Sequence, residues 1–204
     1  MAIQHSTIVD ASRHEPKGVS TANLGDVYVA DGAGSGAWAK VAGDLFGDMD
    51  FSQNTVDTTI TITSAVPAAA GFVLLTGATL TTPGPLYSQG VIDTITFENT
   101  ANNELLRVQT AGIYEVSGNF SFTGGGGGAG NIYRFNYAVN GIENTAHSYA
   151  LRQTSSGDVG SCGFSEYVQL AVNDTVQACV ANQSGVNNPT VLTSSLTLII
   201  IKAL

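Results

Sequence analysis

The side chains best able to do chemistry are few and widely spaced. Histidine occurs only at His5, His14 and His147, and cysteine only at Cys162 and Cys179. No two of the histidines stand at a spacing that would turn both imidazoles onto one metal ion, and the cysteines do not form Cys-x-x-Cys pairs. Ser35 and Ser161 lie close to glycines, but neither sits in the Gly-x-Ser-x-Gly turn that presents a nucleophilic serine. Acidic residues are scattered singly, so no carboxylate pair for glycoside hydrolysis stands out. Asp158 reads as solvated loop chemistry rather than as a calcium ligand. The run Gly124 to Gly130 invites comparison with a phosphate loop, but such a loop must lead into a helix and carry a lysine and a hydroxyl. Here Asn131-Ile132-Tyr133 opens a strand, and the run is expected to be an interstrand loop. The sequence therefore indicates no catalytic, cofactor-binding or metal-binding residue, and the chain is expected not to be an enzyme.

The elements that would position any site are read from the alternation of apolar residues. From about Thr63 onward, strand-like stretches cover Gly71 to Leu80, Val91 to Asn99, Ile113 to Phe122, Ile132 to Asn140 and Thr145 to Arg152. They continue over Phe164 to Val172, Val176 to Asn182 and Ser194 to Lys202. With Gly, Asn and Asp between them, this is the pattern of an all-β antiparallel sandwich or jelly roll. Val168, Leu170 and Val172 mirror Val176, Ala178 and Val180 across Asn173-Asp174-Thr175, which predicts a hairpin pairing Val172 with Val176. That register turns Cys162 inward and Cys179 outward, so both are expected to be reduced thiols rather than bridged.

Residues 1 to 62 look different. They hold 8 acidic and 3 basic residues and lack the apolar mass of a core. Val27-Tyr28-Val29 and Ala37-Trp38-Ala39 around the turn-rich Asp31 to Gly36 predict a loose hairpin, and Gly43 to Asp50 is expected to form at most a helical turn. The chain thus divides into an extended arm, 1–62, and a β domain, 63–204.

Composition excludes several classes. The 204 residues carry a formal charge of −9, and only 11% are charged, against about 25% in ordinary soluble domains. A chain this acidic is not expected to bind nucleic acid through its phosphates. Its longest apolar run, Leu196 to Ile201, is strand-sized, so no membrane helix is expected. With His5 and Asp10 where a signal peptide would be basic and then apolar, the chain is expected to be made in the cytoplasm.

Two stretches resemble known families. Thr110-Ala111-Gly112-Ile113-Tyr114-Glu115-Val116-Ser117-Gly118-Asn119-Phe120 resembles the signature strand of complement C1q and tumour-necrosis-factor globular heads. Ala138-Val139-Asn140-Gly141, Val168 to Val176 and the closing Ser194 to Ile201 follow in the order of those heads, although Asn173 stands where they often have glycine. The resemblance covers about residues 90 to 204 and implies a ten-stranded jelly roll that forms a homotrimer. His14 to Val19 and Gly25 to Trp38 resemble the openings of tailed-bacteriophage head-fibre, capsid decoration and tail-fibre proteins.

Together these resemblances imply a capsid decoration (cement) or head-fibre protein on the virion exterior, with itself and the major capsid protein as partners. The alternative is a fibre tip that binds a surface glycan. Val27, Val29 and Trp38 are the expected capsid anchors, and Tyr114 and Tyr167 the expected trimer-interface residues.

Overall fold

The computed structural model describes residues 26–30, 36–40, 46–52, 59, 72–93, 95–124, 131–145, 150–154, 158–183 and 187–204. The first strands, β1 (Asp26–Ala30) and β2 (Gly36–Lys40), form a two-stranded antiparallel ribbon. The remaining strands are β3 (Phe46–Ser52), β4 (Val73–Leu74), β5 (Ser88–Asp93), β6 (Ile95–Thr100), β7 (Asn103–Val108), β8 (Gly112–Thr123), β9 (Asn131–Val139), β10 (Ile142–Glu143), β11 (Ala150–Thr154), β12 (Val159–Leu170), β13 (Thr175–Asn182) and β14 (Thr190–Ala203). They make two antiparallel sheets. The first runs β10-β9-β13-β7-β6, with β11 also on β9 and β4 also on β13; the second runs β12-β8-β14-β3-β5. Strands neighbouring in sequence repeatedly fall in opposite sheets, the winding of a jelly roll.

Alternation explains the core. Along β8 the even residues Tyr114, Val116, Phe120 and Phe122 are buried between the sheets, while the odd ones face outward. Phe120 stacks on Phe135 of the opposite sheet at 4.7 Å, and Phe122 meets Phe135 at 4.6 Å and Tyr133 at 5.4 Å. Gly118 interrupts the row because a Cβ there would lie 2.8 Å from the Phe164 ring. Its absence lets Phe164 reach Phe120 and Tyr137.

Three sequence expectations change. Phe46–Ser52, expected in the arm and in part as a helical turn, is a strand held between β14 and β5. Its parity is regular: Gly47 and Met49 are buried, Asp48 is half-buried and Asp50 is exposed. The boundary at residue 62 therefore cuts through the head, which begins by Phe46. Thr59 also bridges to Thr190. Gly71 to Leu80 is mostly not strand, since β4 spans two residues and is followed by a 3-10 turn at Gly77–Thr79.

The third change is the expected hairpin of Val172 with Val176. β12 pairs with β8 and β13 pairs with β9, so the two strands lie in opposite sheets. The link between them is a corner. Asn173 takes a left-handed φ of 72°, the Asp174 carboxylate accepts from Ala171 N at 2.8 Å, and Val108 N donates to Asp174 O at 2.9 Å. Cys162 and Cys179 accordingly sit in different sheets as free thiols, the second buried. Burial pushes the Cys179 thiol well above its ordinary pKa.

Candidate functional site

The outward face of the second sheet is assembled from the odd residues of β12, β8 and β14. Register sets Ser165 beside Ser117 and Thr197, Gly163 beside Asn119 and Ser195, and Ser161 beside Ser121 and Thr193. Neighbouring strands lie about 4.8 Å apart and successive outward residues about 6.8 Å apart along each strand. The result is a lattice of hydroxyls, with one amide and one glycine and no charged side chain. One row further along, Tyr167, Glu115, Ile199 and Phe46 stand side by side. Tyr167 is 61% exposed, and Ser165 donates to Glu115 Oε1 at 2.6 Å.

Within this face a shallow groove of about 360 Å³ is lined by Asn119, Phe120, Ser121, Ser161, Cys162 and Thr193. It offers neutral donors and acceptors. Phe120 is 2% exposed, so its ring belongs to the core and gives a ligand no flat platform.

The expected interface pair separates. Tyr167 is on the surface, but Tyr114 is 0% exposed, because it shares the inward parity of β8. It is a core residue, not an interface residue. Its hydroxyl donates to Thr110 O four residues upstream, and burial raises its pKa.

The expected anchors separate as well. Val27 and Val29 project from one face of the β1–β2 ribbon, 42% and 51% exposed. Trp38 stands opposite Tyr28 on the other face, edge-to-face at 5.5 Å. Trp38 is half-buried, and its indole Nε1 is buried without a hydrogen-bond partner.

Two buried polar clusters were not legible in the sequence. Glu104, fully buried, accepts from Gly77 N and Leu86 N at 2.8 Å each and from Asn99 Nδ2 at 3.3 Å. It fastens the segment 77–86 across the end of the sandwich. On the outer side of the first sheet, Arg134 pairs with Glu143 at 2.6 Å and Asn136 donates to Asn144 O at 2.7 Å, while Asn144 also donates to the hydroxyl of the core residue Tyr137 at 2.6 Å. Burial is the main reason the Tyr137 pKa is pushed up to about 12. Both clusters bind one stretch of chain to another, and among the described residues no three His, Cys, Asp or Glu side chains group as metal ligands. His5, His14, His147, Ser35 and Gly125 to Gly130 lie outside the described residues. Asp158 is exposed. Beyond the glycine run the chain enters β9, so no helix N-terminus is there to receive a phosphate.

No family model matches the chain, and no curated protein matches it. Solved structures do. A tumour-necrosis-factor protein, Eiger of S. frugiperda, is 14% identical, with 77% of this chain and 93% of that one covered and a TM-score of 0.44. Murine APRIL at pH 5.0 is 11% identical over 76% of this chain and 99% of that one, TM-score 0.45. The globular domain of zebrafish complement 1qA is 9% identical over 78% and 99%, TM-score 0.43. The likeness is one of fold alone; the chain's own strand pairing makes it an all-β antiparallel jelly-roll sandwich.

Proposed function

We propose that this is a structural protein, a homotrimeric decoration or head-fibre protein that attaches to a phage capsid and stabilises it. The observation that carries the reading is the small β1–β2 ribbon, which holds Val27 and Val29 out to solvent ahead of a head with a well-packed core. A two-stranded ribbon is marginal in water by itself, and exposed valines on it suit a partner that completes their burial. A protein that binds only the assembled shell stabilises it by mass action, and three arms on one trimer add avidity where they span neighbouring subunits. The hydroxyl-rich face around Ser117, Ser165, Thr197 and Tyr167, with Glu115 and Asp48 as its acidic neighbours, is the surface through which copies would associate. Val27 and Val29 would then meet the major capsid protein directly, with Trp38 holding the ribbon in shape from behind.

The test adds purified protein to bare capsids and images the product. Ordered density at three-fold or quasi-three-fold positions is the expected outcome; protein left wholly in solution overturns the reading. Sedimentation tests the trimer separately, and a monomer throughout the micromolar range rejects it.

The groove at Asn119, Ser121, Ser161 and Thr193 supports a second reading, a fibre tip that binds a neutral surface glycan through hydroxyl and amide groups. The two readings compete for one face, because association of copies across it would close the groove. Glycan binding abolished by Ser161→Trp, with the sedimentation coefficient unchanged, would favour the second.

A further inference from the structure

At one end of the head four large apolar side chains stand in water: Ile142 is 72% exposed, Val172 50%, Ile201 45% and Leu204 63%. Strand register gathers them. Leu170 is paired with Gly112 and Gly112 with Ala203, and Leu204 N donates to Ala111 O at 3.0 Å. Val172 and Leu204 therefore flank the start of β8, about two strand spacings or 10 Å apart. Asn140 N donates to Thr175 O at 2.9 Å, which brings the Asn140-Gly141 turn, and Ile142 after it, to the same corner.

The arm joins the head at this end. Phe46, where β3 begins, lies opposite Ile199 in antiparallel register, five residues short of Leu204. Five residues, 41–45, separate β2 from β3, and that length of chain spans at most about 20 Å. The apolar ribbon face begins directly beyond that tether: Val27 pairs with Ala39, next to Lys40, and Val29 with the exposed Ala37. Two uncovered apolar surfaces on so short a tether meet at an effective concentration in the millimolar range.

We propose that the Val27–Val29 face of the ribbon docks on the apolar end of its own head, over Val172, Leu204 and Ile142. Both surfaces are open in the structure, so the docked form is a second arrangement of the same chain. Docking shields the valines before a partner is met. That consequence, though not the docking itself, rests on the anchoring role proposed for Val27 and Val29.

The test uses the full chain without capsids. Val29→Cys is combined with Val172→Cys in one variant and with Leu204→Cys in another, and each is oxidised mildly at low concentration. An intrachain bridge in at least one, identified by peptide mass, is expected. Bridges formed only between chains, or no bridge in either variant, overturn the proposal. In a second measurement, Val172→Asp with Leu204→Asp is compared with the native chain by limited proteolysis. Cleavage within 41–45 is expected to rise about tenfold, because it tracks the undocked population, while the head still melts cooperatively, lowered only by the docking it has lost. An unchanged cleavage rate overturns the proposal. Co-sedimentation of these variants with capsids is scored separately, so loss of the anchoring role leaves the docking result standing.

Discussion

Phe120 in the head and Trp38 in the ribbon are both aromatic residues on antiparallel strands, yet their surroundings have little in common. Phe120 is held from two sides, by Phe135 of the opposite sheet at 4.7 Å and by Phe164 of its own sheet at 5.9 Å. Trp38 has the Tyr28 ring across the ribbon at 5.5 Å, and a buried indole N–H with no acceptor. Aromatic pairing adds about 0.5–1.5 kcal/mol to the burial it accompanies. In the head that increment adds to a closed core; in the ribbon it must serve almost alone, against the cost of an unsatisfied donor. The same residue chemistry thus gives a core in one place and a provisional structure in the other, because only the head has a second layer.

The largest test of that contrast is truncation. Removing residues 1–45 should leave a head that still melts cooperatively, followed by circular dichroism, with its midpoint lowered only by the loss of the docked ribbon. Removing residues 1–62 takes away β3, with Met49, and bares the edges of β14 and β5; a loss of cooperative melting or of solubility is expected. If both truncations melt alike, β3 contributes little to the sheet. Next in size, Phe135→Ala should cost about 3–5 kcal/mol in denaturant unfolding, the usual range for a buried aromatic. Trp38→Ala should leave the same transition unchanged, and any clear shift would mean that ribbon and head melt as one unit.

A smaller effect is expected in alkali. Burial raises the pKa of Tyr87, whose hydroxyl meets Ser194, and raises that of Tyr137 to about 12. Stability from these tyrosines is complete below their unfolded pKa of about 10 and is lost as pH rises through the folded values. The melting temperature of the head should fall above about pH 10, and Tyr137→Phe should blunt the fall. The smallest effect concerns Glu98, whose pKa is lowered chiefly by its hydrogen bond from Arg107. Its contribution is present above the ordinary glutamate pKa and is lost as pH falls through the lowered value. Both side chains are about one-third exposed, so Glu98→Gln should cost under about 1 kcal/mol at neutral pH.

The long strands were legible because burial on one face writes itself as alternation: β8, β9, β13 and β14 lie close to their expected positions. Partnership was not legible between β12 and β13. Two strands that face each other across a core need the same inward parity as two strands that pair, so Val168 to Val180 reads alike in both cases. The deciding groups are Asn173, Asp174 and their partners on β7, and these come from distant sequence. β3 was missed although Asp48-Met49-Asp50 alternates, because Gly47 occupies an inward position where only a residue without a Cβ fits beside Ile95. The parity of Tyr167 placed it on the outward face of β12. Tyr114 was expected at the interface between copies, and its place in the core needed the second sheet. The hydroxyl lattice joins residues from β8, β12 and β14 and exists only once those strands are side by side.

The position of β14 has a consequence for biosynthesis. It lies between β8 and β3, although the ribosome makes it after every other strand described. Ser52, at the end of β3, and Thr190, at the start of β14, are 138 residues apart by number (190 − 52), which is between about 7 and 28 s of translation at 5–20 residues per second. Once β8 is made, β3 and β8 have no strand between them until β14 follows, and their facing backbone edges stay unpaired. Non-local pairing of this kind is slow to form. The nascent chain is therefore most vulnerable to aggregation just before β14 emerges, and a stop codon anywhere within β14 should yield a product that is degraded or insoluble rather than a slightly shorter head.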